Sequence, residues 1–525
     1  MKKLTELTSG EVQSKILAMN RSDRDSVKRF YDGDHWQSQL AYVGPQALES
    51  DGTVSSAGMD VIKGKFVFEN MIAEIVGRHV SGVLGEQPHW QVTPKKPTGE
   101  NGTASEIERK KSKDAEDALT TWMDSCMSDY TSDEDKLDPI TQFCVNLLLF
   151  DRAVMRVFVP ESISGNVSAP TMEEALSKLY FHAPEITQAG VVTDKNTQEK
   201  LGAYYWSDTE TDYFESTYRV GGVTFLRTVI NNVESITQHN MRGRLFIYEA
   251  RRPRFVKESI ISLQKTLNMV LTMLGRNVNV GGSPETFFLN AMLPGKTKIV
   301  DGKQQYVADP VQVGAGTVIS VSGIPVRDPV TGSETFTTPN VTFRDPVPVD
   351  TFTNSENALR YSILAEAQQL HAIITGDAAV SGESRIQALA DFENSLKQTA
   401  KAMNSMLQWL FETALSLAST VMGTEGEYDD YRVVVQCNTN AGPLSAEMLR
   451  TIADVKDKNF ISHETGLALA RVQDVEAEIQ RVNMEKQKAM DEQQQYVDIN
   501  AMQAQNTLNQ IRQARQAQSN EVNQN

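Results

Sequence analysis

KESIISLQKTLNMVLTMLGRNVNVG, residues 257–281, decides how the rest of the chain is read. Ile260, Leu263, Leu267, Val270, Leu271, Leu274 and Val278 recur at helical spacing and make one apolar stripe on a helix several turns long. Gln264, Asn268, Thr272 and Arg276 step by four along another side. That second stripe is mostly neutral and polar, unlike the charged face a helix usually turns to solvent. Arg251, Arg252, Pro253 and Arg254 precede the helix, and Gly281, Gly282 and Pro284 end it. Taken alone, the stretch fits a buried helix of a globular domain. Residues 283–345, which follow, carry no helical pattern. Short strands are expected at 286–289, 305–307, 318–321 and 335–343, separated by Gly, Pro and Asp turns. Thr353 and Glu356 then fit a capping box. Ala358, Leu359, Ile363, Leu370, Ile373 and Ile374 form the stripe of a second helix over 354–374. The chain runs down one helix, makes a small β module and returns along another.

Upstream, residues 11–31 read as a helix with Ser9 as N-cap, followed by a turn that carries Trp36 as an exposed aromatic. Residues 48–64 form a loop. A second helix is expected over 66–84, with Ile72, Ile75, Val76, His79, Val80 and Val83 on one face. Gly77 and Gly82 permit close approach of another element. An extended segment starts at Pro88, and 95–105 is a surface loop. Helices follow at 104–128, with Ala118, Leu119, Trp122 and Met123 inward, and at 138–149. The pattern then turns to strands at 153–159, 203–206, 212–220, 224–230 and 244–248, with Gly221-Gly222 as a hairpin turn. Beyond the second stripe, TGDAAVSGES at 375–384 is a loop of small side chains. Ser384 and Gln387 are placed to cap a long helix that reaches about residue 422. One alternating strand follows at 431–436, and the remainder is helical. From about residue 487 the chain is dominated by Gln, Asn and Ala, too poor in large apolar groups to bury a core alone. The fold class is α+β, predominantly helical.

The chain has 525 residues, room for several domains, with 40% hydrophobic and 23% charged residues. A formal charge of −17 argues against a protein that grips nucleic acid through broad basic patches. Three scattered cysteines, Cys126, Cys144 and Cys437, offer no disulfide framework or zinc site and are expected to be reduced. The N-terminus has no apolar core of a signal peptide, and the most apolar run, 143–150, is too short to span a bilayer. There is no phosphate-cradling loop, dinucleotide fingerprint or nucleophile elbow. The seven histidines stand singly, without metal-binding spacing. The acidic runs at 132–135 and 429–430 read as solvated loops. The run 251–254 either touches phosphate or anchors the start of its helix. No catalytic residue, metal or cofactor is expected.

The order of these segments resembles the portal protein of tailed bacteriophages. FVFENMIAEIVGRHVSGVLGEQPHWQV at 66–92 is similar to the family's early helix, Gly-x-x-Pro segment and strand. FISHETGLALARVQDVEAEIQRVNMEK at 460–486 resembles a frequent family ending. The resemblance implies a wing over 1–253, stem helices at 254–282 and 350–374, and a clip at 283–349. It also implies a tunnel loop at 375–384, a long wing helix and strand over 385–440, and a helical crown with Gln-rich tail over 441–525. It implies a ring, usually dodecameric, assembled in host cytoplasm and placed at one capsid vertex of the virion, without a membrane. The implied partners are the terminase large subunit, major capsid and scaffolding proteins, a head-tail adaptor, and double-stranded DNA passing through without sequence specificity. Thr375, Gly376, Asp377, Ala378, Ala379, Val380, Ser381, Gly382, Glu383 and Ser384 would then face the channel. The stripe Gln264, Asn268, Thr272 and Arg276 would line the channel or a subunit seam. Two other classes compete: a different head-tail connector or tail structural protein, and an enzyme with a site assembled from scattered residues.

Overall fold

The computed structural model of the chain describes residues 23–35, 66–99, 104–131, 137–159, 169–207, 213–239, 241–282, 286–309, 320–374 and 382–439, apart from single residues or pairs within those spans. A few positions between 450 and 482 are also described. Two units are distinguished, 1–441 and 442–525, and almost everything described belongs to the first. The fold is mixed α/β, 45% helix and 28% strand in several small sheets, compatible with α+β. Among the described residues no helix is long and apolar enough to cross a membrane. The expected helical crown and tail fall largely outside the described residues.

Helix α1 (Asp23–Tyr31) and α2 (Met71–Leu84) come first. Residues 66–70, expected to be helical, have no regular secondary structure; Asn70 ends that segment by accepting the Ala73 N–H at 3.0 Å, an N-cap that starts α2 there. The expected face is inward, with Ile72, Ile75, Val76, His79 and Val83 buried. Gly77 makes no close approach: a methyl there would touch nothing within 4 Å. Strand β1 (His89–Pro94) and α3 (Glu106–Thr131) follow, the latter burying Ala118, Leu119, Trp122 and Met123 as its periodicity requires. Helix α4 (Pro139–Phe150) is capped by Asp138, which accepts from the N–H groups of Ile140 and Thr141.

Strand β2 (Arg152–Phe158) is buried along nearly its whole length, because it is the centre of a β3-β2-β9 sheet. Helix α5 (Met172–Leu176) precedes β3 (Tyr180–His182). Strands β4 (Ala189–Thr193), β5 (Lys200–Ser207), β6 (Tyr213–Val220), β7 (Val223–Ile230) and β8 (Val233–His239) form a five-stranded antiparallel meander, and β9 (Ile247–Arg251) returns to β2. The expected hairpin is present: Val220 pairs with Val223, and Gly222 has φ +84°, a value glycine adopts without steric cost. Strands β3, β4 and β8 are missing from the sequence reading. The first two are short, and β8, VESITQH, is an exposed edge with too few apolar side chains to show a period.

Helix α6 (Glu258–Gly282) leads into β10 (Thr286–Leu289), β11 (Ala291–Met292), β12 (Gly295–Val300), β13 (Lys303–Ala308), β14 (Ser322–Gly323), β15 (Pro325–Arg327), β16 (Glu334–Phe336) and β17 (Asn340–Phe343). These form four two-stranded ladders. Helix α7 (Val349–Glu366) returns. It starts earlier than expected, at Pro348, whose fixed φ suits a helix start. Thr353 therefore lies inside the helix and donates to the Val349 carbonyl at 3.2 Å, so the capping box is not formed. The return is also broken: Gln368 takes φ +57°, the Gln369 amide is drawn to the Ile75 carbonyl at 2.7 Å, and a separate turn α8 (His371–Ile374) follows. Helix α9 (Gly382–Val421) runs 40 residues; its unbroken length and its end near residue 422 are as expected, but it begins inside the expected loop. Gln387 does not cap it but donates to Asp391 at 3.0 Å. Strand β18 (Tyr431–Gln436) alternates buried and exposed and pairs with β1, tying the two ends of the unit together.

The largest core gathers α2, α3, α4 and α9 around Phe143, Leu147, Leu148, Leu119, Ile72, Ile75 and Phe411. Cys126, Cys144 and Cys437 are buried and unbridged.

Candidate functional site

Helices α6 and α7 lie antiparallel as a two-helix stalk. At its base Lys257 Nζ meets Glu366 Oε1 at 2.8 Å. Near its far end the Asn277 side chain exchanges two hydrogen bonds with the Val347 backbone, both 2.7 Å. Twenty residues separate Lys257 from Asn277, so these clamps stand about 30 Å apart. Beyond them β10 pairs with β17, Thr286 opposite Phe343, and carries the rest of the β module.

Burial along the stalk is one-sided. Ile260, Ile261 and Leu267 of α6 are fully inside at the base, and Ile363 and Leu364 of α7 meet the core there. Yet no described residue from 269 to 362 is buried. The apolar stripe that decided the reading continues into solvent: Val278 is 59% exposed. At the tip Phe336 is 69% and Phe343 58% exposed, with Phe287, Leu289 and Ile299 also out. Two-stranded ladders with no covered face are marginal in water by themselves. An exposed apolar surface of this extent marks an interaction site.

The polar stripe is a correction. Gln264 and Asn268 do not line a channel or a subunit seam; both are fully buried inside one chain. Gln264 Oε1 accepts the Met71 N–H at 3.0 Å, and its Nε2 donates to the Glu69 carbonyl at 2.6 Å and to Asn268 Oδ1 at 2.8 Å. Thr272 Oγ1 accepts from the Val67 N–H at 3.2 Å and donates to the Val67 carbonyl at 3.1 Å. The stripe is thus a zipper for residues 66–71, where the chain enters α2, supplying partners for backbone groups that lie outside regular secondary structure or at the helix start. Of the four residues only Arg276 remains exposed. Gln264→Leu is expected to leave two buried backbone groups unpaired and to cost about 1–3 kcal/mol in urea unfolding. An unchanged midpoint would show that water or another side chain replaces the amide.

Of the expected channel loop, Thr375, Gly376, Asp377, Ala378, Ala379, Val380 and Ser381 lie outside the described residues. Gly382, Glu383 and Ser384 are not loop; they open α9. A cleft of about 610 Å³ lies between the flanks, lined by Ala365, Gln368, Leu370, Ser384, Gln387, Ala388 and Asp391. Asp391 is the one titratable group among these seven.

The run 251–254 anchors the start of its helix. Arg252 donates to Thr399 Oγ1, Arg251 pairs with Glu249, and Arg254 lies 3.9 Å from Glu258. Asp429 is likewise not solvated: it is buried beside Arg244, Nη1 to Oδ1 at 3.7 Å, and its carbonyl accepts from Lys95 Nζ at 2.7 Å. Asp430 is exposed.

His79 and His371 serve packing. His79 Nε2 lies 2.8 Å from Thr399 Oγ1, with the Phe255 ring 4.6 Å away. His371 stacks on Phe392 at 4.4 Å. Burial, and then the neighbouring Arg252 charge, pushes the His79 pKa down to about 3. Among the described residues no group of three or more His, Cys, Asp and Glu side chains is placed to hold a metal ion.

No protein-family model and no curated protein matches this sequence. The role of 66–71 and of His35, which ends the zipper, escaped the sequence reading, because nothing in local spacing couples residues some 200 positions apart. The one available signal was the absence of charge at Gln264, Asn268 and Thr272 on the second stripe of α6.

Proposed function

We propose that this chain is the protomer of a portal-type ring at one vertex of a phage capsid. The observation that carries the reading is the stalk and its tip: two antiparallel helices with a β module, in which no described residue from 269 to 362 is buried. Heterologous contacts that close around an axis let each stalk cover its apolar surface on its neighbours. In this reading α6 and α7 are the stem, residues 283–349 the clip, and the units built around α2, α4 and α9 the wing. The ring, a dodecamer by resemblance, carries no enzymatic activity of its own. It is the passage for double-stranded DNA driven by the terminase large subunit, retained after packaging and later ejected. It also joins capsid and scaffolding proteins to a head-tail adaptor. The expected channel loop, 375–381, lies outside the described residues; the small uncharged Ala378, Ala379 and Val380 in its sequence suit contact with a moving duplex. The negative total charge favours passage over capture.

The tip provides a test. Phe336 and Phe343 contribute little to the protomer, being mostly exposed. Replacing both by serine is expected to weaken each intersubunit contact by about 1–2 kcal/mol while leaving protomer stability unchanged. Sedimentation velocity over a concentration series reads this as a shift toward smaller species. An unchanged distribution would mean that the tip is not an assembly surface.

A further inference from the structure

The zipper on α6 ends at His35, and the direction of every hydrogen bond along it is set. Because the Met71 N–H donates to Gln264 Oε1, the Gln264 Nε2 is the donor toward Glu69 and Asn268. Asn268 receives that hydrogen on Oδ1 and so presents its NH2 to His35 Nδ1, 2.8 Å away. The other ring nitrogen, Nε2, is 2.6 Å from the Phe30 carbonyl, which only accepts. Nε2 therefore carries the ring hydrogen, and Nδ1 offers its lone pair. This chain of bonds is satisfied by one neutral tautomer. A proton added at Nδ1 sets N–H against N–H. Asn268 cannot turn its amide over in reply, since its NH2 would then face that of Gln264. Gln264 cannot follow, since its own turn would set NH2 against the Met71 N–H and carbonyl against the Glu69 carbonyl.

The surroundings leave little room to absorb the charge. His35 is 1% exposed, with the Phe30 and Phe68 rings each 4.8 Å from its own. Asn70 also reaches the ring, but its Oδ1 accepts from Ala73 and its Nδ2 donates to the Tyr31 carbonyl. On α1, Lys28 and Asp32 pair with each other at 2.8 Å. From α6, Lys265 stands over the Phe30 ring at 5.7 Å. On the segment 66–70, Glu69 is paired with Arg360 of α7 at 2.8 Å. The hydrogen bond to the Phe30 carbonyl, the polar side chains of Asn268 and Asn70 and the charge of Asp34 favour protonation. Burial opposes it and prevails, holding the pKa of His35 below the ordinary histidine value.

We propose that His35 is an acid-sensitive latch: its protonation breaks the relay through Asn268 and Gln264 and releases residues 66–71, with the cap of α2, from the base of α6. The inference stands independently of the ring reading.

Hydrogen exchange of the full-length protein tests it, with the protection of the Met71 amide followed from about pH 7.5 to about pH 5, the range in which histidine titrates. Protection, corrected for the intrinsic exchange rate, is expected to fall severalfold at Met71 as the pH drops. The amide of Met155 in β2 should hold. His35→Gln keeps a donor for Phe30 and an acceptor for Asn268 without a titrating group, so Met71 protection should become flat with pH. Asn268→Asp faces Nδ1 with a carboxylate that still accepts from Gln264, so acid should preserve or raise protection. A flat wild-type profile would overturn the latch. So would a wild-type-like fall in His35→Gln or, should that variant fail to fold, in Asn268→Asp.

Discussion

Acidification from about pH 6.5 to about pH 3 is expected to remove roughly 4 kcal/mol of stability for each of two buried histidines, His79 and His182. Burial pushes both pKa values down to about 3, with the adjacent charges of Arg252 and Arg156 acting in the same direction. In the unfolded chain each titrates near the ordinary value, so below about pH 6.5 the unfolded state binds more protons than the folded one. Stability is therefore full above that pH and is lost as the pH falls toward the folded value. His35, His239 and His371, also lowered by burial, add to the slope. Glu69 and Glu116, raised by burial, work in the opposite sense as they take up protons in the folded state. Carboxylates held low by hydrogen bonds, such as Glu366 paired with Lys257, enter only below the ordinary Glu range. Urea unfolding at stepped pH reads the slope. His79→Met should reduce it by about one proton between pH 6 and pH 4. An identical slope in that variant would remove His79 from the account.

Glu215→Ala is expected to cost about 3–5 kcal/mol, the usual consequence of leaving a buried charge without its partner. Arg156 of β2 is almost fully enclosed; its guanidinium lies 4.2 Å from the Phe158 ring centre and 4.4 Å from that of Tyr205. Its Nε donates to Glu215 Oε2 at 2.9 Å, and the Tyr213 hydroxyl donates to the same oxygen at 3.0 Å. Glu215 belongs to β6, so this cluster joins the three-stranded sheet to the meander. The double replacement Arg156→Met with Glu215→Leu removes the stranded charge and should recover most of the loss. A thermal midpoint for Glu215→Ala within a degree or two of wild type would show that solvent reaches Arg156.

Much of the architecture is legible in the sequence because it depends on local period. The stripe of α6, the inward face of α3, the Asp138-Pro139 start of α4 and the two-residue turn between β6 and β7 are written in adjacent residues. So is the alternation of β18. What the sequence hides is pairing at a distance. Neutral side chains at 264, 268 and 272 mark a face that avoids charge, but not what it meets. The periodicity fits a channel or seam as well as it fits segment 66–71. Thr353 and Glu356 have cap spacing, yet Pro348 starts the helix first, and a signal read in isolation loses to an earlier one. The break at Gln368 sits beside the Gln369 side-chain bond to the Ile75 carbonyl, a partner that no window around residue 368 contains. The β module is only partly legible: β10, β13, β16 and β17 overlap expected strands, whereas β11, β12, β14 and β15 escape the sequence reading. Residues 320 and 321 of the expected strand 318–321 are not strand, and the lack of a covered face emerges only in three dimensions.

The central claim is that the stalk and its β module are completed by other copies of the chain. Native mass spectrometry of the purified full-length protein, without DNA or nucleotide, tests this most directly. The account predicts one closed assembly of defined subunit number, twelve by resemblance, that appears as a ring with a central hole in negative stain. A stable, well-folded monomer at micromolar concentration would contradict it.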